Sequence, residues 1–136
     1  MARFRLSRPA QMDLANIFAT GTRLWGVEGE RRYATTLATA MRQIAADPEG
    51  RVTRGRGELL PGIRSFHLRY TRVDDPASRV RRPVHVLYYR AVGPDLIEIV
   101  RVLHERMEPA RQIAGFPGNG LDEPPGDGAS RNTQPR

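Results

Sequence analysis

The sequence contains no cysteine and no lysine, and it has no long apolar run. Without cysteine, thiol chemistry, iron–sulfur clusters and cysteine-ligated zinc are excluded. The longest uncharged run, residues 112–121, has ten residues, whereas a membrane-spanning helix needs about 20 apolar residues. The N-terminus carries arginines where a signal peptide would need an apolar segment. We therefore expect a soluble, cytoplasmic protein.

The length of the chain is typical of one domain. A domain of 136 residues buries about two thirds of the surface of its unfolded chain, so its core can form without a metal or a disulfide. We expect one folded domain over residues 1–114. Residues 115–136 are rich in glycine, proline and polar side chains, a composition that favours disorder.

Arginine provides all 22 basic residues, and most of them precede residue 115. Residues 1–114 hold 20 arginines against 12 acidic residues, a net charge of +8, whereas residues 115–136 have a net charge of −1. A positive field of this kind favours an acidic partner, either a nucleic acid or an acidic protein segment. Composition does not distinguish between these two partners.

The first 26 residues follow a strand pattern and then a helix pattern. Phe4 and Leu6 alternate with arginines, which predicts an edge strand. Ser7 and Pro9 mark the start of a helix, because proline is tolerated in the first turn. Gly26 is predicted to end this helix. Its apolar stripe consists of Ala10, Leu14, Ile17, Phe18, Gly21 and Trp25.

A second helix is predicted from about Glu28 to Ala46. Pro48 closes it, since proline cannot continue the hydrogen-bond ladder of a helix. The link between the two helices is only the short GVE segment, so we expect them to form an antiparallel hairpin. The apolar stripe of this second helix is Tyr33, Leu37, Ala40, Met41 and Ile44.

The remaining pattern is typical of β-strands. Residues 64–70 and 84–92 are the first two predicted strands, and the GPD turn leads into a third at 96–104. The third is apolar on both faces, so we expect it in the centre of the sheet. The predicted fold is α+β, with an N-terminal edge strand and a helix hairpin packed on a three- to four-stranded antiparallel sheet.

Three short segments carry a family resemblance. They are the PGIRSF motif at 61–66, the pair Tyr89-Arg90, and VLH at 102–104 followed by Arg106 and Met107. In this order and spacing, residues 2–113 resemble the RelE/ParE superfamily of bacterial toxins, and within it they are nearer to ParE. The longer loop at 71–83 and the extended tail depart from the family pattern.

The resemblance implies a toxin of a type II toxin–antitoxin pair, in a hetero-oligomer with a cognate antitoxin. It implies that the toxin binds DNA gyrase and traps it on cleaved DNA, with no catalytic residue and no cofactor of its own. We expect an acidic, amphipathic C-terminal segment of the antitoxin to pack along residues 9–46 and the sheet edge. The candidate antitoxin-groove residues are Leu14, Phe18, Trp25, Tyr33, Leu37 and Met41, and Trp25 is either core or an anchor for the partner.

The end of the third predicted strand is the expected target surface. Arg101 lies in the most apolar strand, where a buried, unpaired guanidinium would be very costly. It must pair with a carboxylate or reach the exposed face of the sheet, and the exposed face is the preferred expectation. The target-binding candidates are Arg64, Arg90, Arg101, His104, Arg106 and Met107.

Two alternative functions remain open from the sequence. The first is ribosome-dependent cleavage of messenger RNA, as in the RelE branch, for which Arg56, Arg64, Arg82 and Arg90 offer phosphate contacts. The missing lysine and the absence of a tyrosine after Tyr89 weigh against it. The second alternative is a basic nucleic-acid-binding module without toxicity, which would bind more weakly as salt rises.

The histidines and the tyrosine pair have simple structural explanations. His67, His85 and His104 lie on separate predicted strands without the spacing of a helical metal motif, so we expect no metal site. Tyr88 and Tyr89 are adjacent and must face opposite sides of the sheet. One is expected in the core, and the other is expected to be partly exposed, where it packs across strands or stacks on a base.

Overall fold

The computed structural model describes residues 3–113, which form one sheet with a helix on each face. Two short 3₁₀ turns, at 68–70 and 76–78, lie between the third and fourth strands. Within the described range no helix is long and apolar enough to cross a membrane. The tail at 115–136, predicted to be disordered, lies outside the described residues.

In chain order the elements are β1 (Arg3–Leu6), α1 (Arg8–Ala46), β2 (Arg54–Gly55), β3 (Arg64–His67), β4 (His85–Gly93), β5 (Leu96–His104) and α2 (Pro109–Ile113).

The sheet has five strands in the order β1-β5-β4-β3-β2. β1 pairs parallel to β5, and the other neighbours are antiparallel. The prediction of three to four antiparallel strands was therefore wrong in number and in direction. β2 has only two residues, too few to show an alternating pattern. The edge position of β1 is confirmed, and β5 lies inside the sheet between β1 and β4.

Ser7 fixes the junction between β1 and α1. Its Oγ accepts a hydrogen bond from the Ala10 N–H at 3.0 Å and donates one to the Val100 carbonyl of β5 at 2.7 Å. Its side chain thus caps the first turn of α1 and ties it to the sheet. The predicted helix start at Ser7 and Pro9 is confirmed.

The predicted hairpin of two separate helices is replaced by one helical element with a sharp kink. α1 runs for 39 residues, and Gly26 alone leaves the helical conformation, with φ 74° and ψ 178°. This region is open essentially only to glycine. Two side-chain contacts join the parts of α1 before and after the kink. Thr22 Oγ1 donates to Glu30 Oε1 at 2.6 Å, and the centroids of the Trp25 and Tyr33 rings lie 4.8 Å apart. Helical geometry resumes directly after Gly26, so no loop separates two helices.

Two irregularities shape the strands. Tyr88 pairs with Arg101, but the next residue, Tyr89, pairs with Ile99, so Val100 is the extra residue of a β-bulge. The predicted strand at 64–70 is also shorter in the structure. β3 ends at His67 and the chain turns into a 3₁₀ turn, which leaves Tyr70 substantially exposed.

The main core lies between α1 and one face of the sheet. It takes side chains from β1, β3, β4 and β5 and from both sides of the kink in α1. Its fully buried members include Leu37, Phe66, Leu87, Tyr89 and Ile99. Apart from Trp25, which is 41% exposed, the large side chains of both apolar stripes read from the sequence therefore pack in this core, as predicted. This burial is the main stabilisation of the domain.

A smaller core covers part of the opposite face. Ile113 of α2 packs with Val100 and Leu103 of β5 and with Tyr88 of β4. The segment before β3 adds Ile63, and Leu59 and Leu60 pack at its margin. This cover extends over β5 and part of β4 only, which leaves the β2–β3 side of the same face open as a groove.

Candidate functional site

An open groove of about 570 Å³ lies on the sheet face opposite α1. Alternate residues of a strand point to the same face, and three strands contribute one such pair each to its floor. The pairs are Arg54 and Arg56 at β2, Ser65 and His67 on β3, and Val86 and Tyr88 on β4.

The rim of this groove comes from segments that flank the strands. Arg51 and Val52 follow α1, Arg69 and Tyr70 lie in the turn after β3, and the remaining rim residues, Glu105, Met107 and Pro109, follow β5. The lining therefore holds four arginines and one carboxylate. We call these four side chains, Arg51, Arg54, Arg56 and Arg69, the groove arginines.

One ion pair and one hydrogen bond between a histidine and a carboxylate set the electrostatics of the groove. Arg56 Nε donates to Glu58 Oε2 at 2.7 Å, and this bond lowers the pKa of Glu58 and raises that of Arg56. His67 Nε2 lies 2.7 Å from Glu105 Oε1, and the hydrogen bond lowers the pKa of Glu105. Each carboxylate thus has a neighbouring basic side chain, and the excess of arginines leaves the groove positive.

The three histidines lie at the same end of the sheet. His85 and His104 are paired residues of β4 and β5, with ring centroids 5.6 Å apart. His85 is buried, and Tyr33 Oη lies 2.7 Å from its Nδ1. Burial, with the nearby His104 second, lowers the pKa of His85 to about 4. Among residues 3–113 the structure shows no group of three potential ligands placed to hold a metal ion.

Two of the predicted target-binding arginines are structural. Arg90 is 5% exposed and its guanidinium binds Glu98 Oε1 at 3.1 Å. Arg101 binds both carboxylate oxygens of Asp13 at 2.8 Å, and its Nη1 donates to the Gln112 carbonyl at 2.9 Å. The expectation that they form an exposed basic surface is wrong. A carboxylate partner offsets the cost of burying each guanidinium.

Asp13 is the carboxylate that makes the position of Arg101 possible. β1 pairs with β5 only as far as Ile99, and the N–H of Val102 instead donates to Asp13 Oδ2 at 2.9 Å. Asp13 thus continues the sheet edge where β1 has ended. No pattern of residues predicted this role, because Asp13 lies beside the apolar stripe of α1 and 88 residues away from Arg101.

Of the other target-binding candidates, Met107 lines the groove, whereas Arg64 and His104 pair with Tyr89 and His85 and lie on the α1 face of the sheet. Arg64 is partly buried on β3 and donates to Thr53 Oγ1 at 2.8 Å. His104 is partly buried at the end of β5, and its Nδ1 accepts from the Arg106 N–H at 3.1 Å. Arg106 and Met107 are exposed, and Met107 is also part of the groove rim.

The antitoxin-groove candidates divide into core and surface. Tyr33, Leu37 and Met41 are buried in the main core, so their prediction as groove residues was wrong. A helix stripe cannot by itself show which of its members the sheet covers. Leu14 and Phe18 are partly buried at the margin of the same core. Trp25, at 41% exposed, is the candidate that remains on the surface.

Trp25 borders a second, smaller hollow of about 460 Å³. Leu24 and Val27, its neighbours at the kink of α1, are among the most exposed large apolar side chains in the described range. The opposite wall comes from the longer loop at 71–83. Four arginines line this hollow: Arg32, Arg79, Arg81 and Arg82. We call Leu24, Trp25 and Val27 together with these four arginines the kink surface.

The expectation for the tyrosine pair was half right. Tyr88 and Tyr89 do face opposite sides of the sheet, but both are buried, at 5% and 1% exposed. Tyr89 Oη donates to the Pro48 carbonyl, and the Arg56 guanidinium lies 5.8 Å from the Tyr88 ring centroid. The exposed aromatic side chain of the groove is Tyr70, at 41% exposed, which the strand prediction had placed within the sheet.

Comparisons with known proteins agree on one family. The family model for the ParE toxin of the type II toxin–antitoxin system parDE matches residues 4–109. "Toxin ParE1" of Mycobacterium tuberculosis is 32% identical over 112 residues, which are 82% of this chain and 98% of that protein. "Toxin ParE1" of Caulobacter vibrioides is 34% identical over 107 residues, which are 79% of this chain and 93% of that protein.

A solved structure shares the fold. A chain described as the chromosomal ParDE toxin–antitoxin system from P. aeruginosa superposes with a TM-score of 0.55 at 20% identity, over 76% of this chain and 96% of that chain. The α+β fold and the family match define a toxin of a type II toxin–antitoxin system. Within this class, the chain belongs to the ParE toxin family.

Proposed function

We propose that this toxin acts by binding DNA gyrase and holding it on cleaved DNA, and that a cognate antitoxin neutralises it. The observation that carries the proposal is the match of residues 4–109 to the ParE toxin family. The net charge of +8 over residues 1–114 suits a target that itself holds DNA, because a positive field draws the toxin towards such a complex.

The exposed end of β5 is our candidate for gyrase contact. Up to His104, β5 is paired with β4, and on its other side the Val102 N–H donates to the Asp13 carboxylate, so the strand gives the residues that follow it a fixed starting point. Arg106 and Met107 project from this end, and the bond to His104 fixes the backbone between them and the strand. A methionine with an adjacent arginine supplies apolar area and a charge to one contact.

A supercoiling assay with purified gyrase tests this proposal. The wild-type chain should inhibit supercoiling, and the double variant R106A/M107A should need about tenfold more protein for the same inhibition. The matched control is M12A/R31A, which removes an exposed methionine and an exposed arginine from α1 and should inhibit as the wild type does.

Two results would count against gyrase as the target. One is full supercoiling activity at micromolar concentrations of the chain. The other is the finding of cuts within ribosome-occupied codons when messenger RNA is analysed by primer extension after induction in cells. Such cuts would favour the ribonuclease activity of the RelE branch over gyrase inhibition.

For the antitoxin, we propose that its acidic, amphipathic segment docks on the kink surface. Leu24, Trp25 and Val27 are exposed apolar side chains at the kink, and Arg32, Arg79, Arg81 and Arg82 line the hollow beside Trp25. An amphipathic helix can place its apolar face on Trp25 while its carboxylates reach the arginines. Charge pairing of this kind chiefly raises the association rate.

Binding measured by calorimetry with the adjacent gene's product tests the docking site. W25A should weaken the complex at least tenfold, because a large exposed aromatic is a typical anchor residue. M12A, which removes another exposed apolar side chain of α1, should leave the affinity unchanged. Equal affinities of W25A and the wild type for the antitoxin would show that the antitoxin binds a different surface.

A further inference from the structure

The groove arginines have no role in the contacts proposed above. Arg51, Arg54 and Arg69 are exposed, and within residues 3–113 none of the three forms a salt bridge with a carboxylate. Only Arg56 has such a partner. Four like charges around one hollow repel one another, so the arrangement favours a ligand that brings several negative charges.

Three of these four charges come from the segment at 51–56, which forms one edge of the sheet. Arg54 and Arg56 are two residues apart at the β2 edge, while Arg51 lies before them and Arg69 lies beyond the end of β3. Positions two apart on a strand are separated by about 6.6 Å. A chain of phosphates fits this spacing better than one compact anion does, because each guanidinium can pair with a separate phosphate.

The groove also offers a surface for bases. The Tyr70 ring is exposed, and the Arg69 guanidinium lies over it, 5.0 Å from the ring centroid. Stacked tyrosine and guanidinium planes are the usual platforms for unpaired bases. The floor spans three strands, about 10 Å between the outer two, which suits one strand of nucleic acid rather than a double helix.

We propose that the groove between β2 and the end of β5 binds a single strand of nucleic acid, with its phosphates on the groove arginines and a base on Tyr70. This site goes beyond the gyrase and antitoxin contacts, since it requires neither protein. DNA and RNA share the phosphodiester backbone that the arginines recognise, and the two are separate arms of the test. Val52 and Met107 supply the apolar part of the rim.

Fluorescence anisotropy with the purified full chain tests the site. The probes are DNA and RNA oligonucleotides of one sequence and about 12 nucleotides, within the ~4–16 nucleotides of single-strand sites, together with the matching DNA duplex. We expect binding to either single strand that is tighter than binding to the duplex. Equal affinity for DNA and RNA indicates recognition of phosphate and base, whereas tighter binding of RNA adds a contact to the 2′-hydroxyl.

Variants separate this groove from the general charge of the domain. R51A/R54A should reduce the slope of log affinity against log salt by about 1.4, which is about 0.7 for each lost phosphate contact on a single strand. R79A/R81A removes the same charge from the kink surface and should leave the slope unchanged. Y70A should weaken binding about tenfold, and Y70F should retain most of the affinity. Thermal melts show whether each variant is folded.

Three results would overturn the proposal. They are no binding to either single strand, tighter binding of the duplex, and equal losses in R51A/R54A and R79A/R81A. Poly-glutamate that binds as tightly as the oligonucleotides, with the same dependence on Arg51 and Arg54, would also overturn it in favour of an acidic peptide. None of these measurements contains gyrase, so their outcome is independent of the supercoiling assay.

Discussion

On one face of the sheet, α1 covers side chains from four strands and builds the main core. On the other face, α2 and the segment at 59–63 cover only β5 and part of β4. The uncovered remainder carries four arginines among its apolar side chains. One sheet thus has a face that stabilises the fold and a face that leaves room for a ligand, and the division follows from the size of the two covering helices.

Arginine itself differs between buried and open positions. Arg90 and Arg101 are held by Glu98 and Asp13 in sites that exclude most solvent. Arg51 and Arg54 stand in solvent around the groove. A buried guanidinium needs a carboxylate to offset its desolvation, whereas an exposed one remains hydrated until a ligand arrives. Burial, and not residue type, therefore separates structural arginines from candidate binding arginines.

The largest expected effect tests the difference between the faces directly. L37A removes a side chain that is 2% exposed in the main core and should lower the free energy of unfolding by about 3 kcal/mol. V52A removes an apolar side chain from the groove rim and should change it by no more than about 0.5 kcal/mol. Urea unfolding monitored by circular dichroism measures both. Similar losses in the two variants would show that the groove is part of the stabilising core.

A smaller effect on the free energy of unfolding concerns Arg101, the side chain that contacts both α1 and α2. Arg101 contacts Asp13 of α1 and the Gln112 carbonyl of α2. D13A leaves this guanidinium and the Val102 N–H without their partner, and should cost about 2 kcal/mol in urea unfolding. E28A breaks an exposed pair with Arg31 and should have almost no effect. A loss below that of E28A would contradict a structural role for Asp13.

The effect that is smallest for each step of the measurement is a pH dependence from the α1 side of the sheet. Burial keeps the pKa of His85 at about 4 in the folded protein, against 6.5 as the ordinary value. The unfolded chain therefore binds more protons, and stability present above pH 6.5 is lost as the pH falls towards 4, by about 1 kcal/mol per pH unit. H85Q should flatten this part of the profile in urea unfolding. A profile that is unchanged in H85Q would assign the dependence to other groups.

Local patterns in the sequence predicted several elements correctly. Ser7 and Pro9 predicted the start of α1, and Pro48 predicted its end. The two apolar stripes of α1 face the sheet, apart from Trp25. The edge position of β1 and the buried character of β5 also followed from alternation and continuous apolarity. These features depend on contacts within a few residues, or on burial in general, and both leave a periodic mark.

Local patterns predicted less about the kink in α1 and about the candidate site. The predicted hairpin assumed that Gly26 ends a helix, but the chain returns to helical geometry at once. Arg90 and Arg101 were expected on an exposed surface. No pattern marks Asp13, 88 residues away, as the partner of Arg101, and Glu98 faces Arg90 only because β4 pairs with β5 in this register. The groove brings together Arg51, Arg54 and Arg69 from three segments whose proximity depends on strand order.

The sequence alone determined the α+β class, the positive charge of the domain, the absence of thiol and lysine chemistry, and the resemblance that the family match confirmed. Tertiary structure decided which arginines are buried and which are free to meet a ligand. It also decided that β1 lies parallel to β5 and that the β2–β3 part of one sheet face stays open. The physical reason is that period and composition record local geometry and solvent preference, whereas partners distant in sequence are chosen only when strands pair and helices pack.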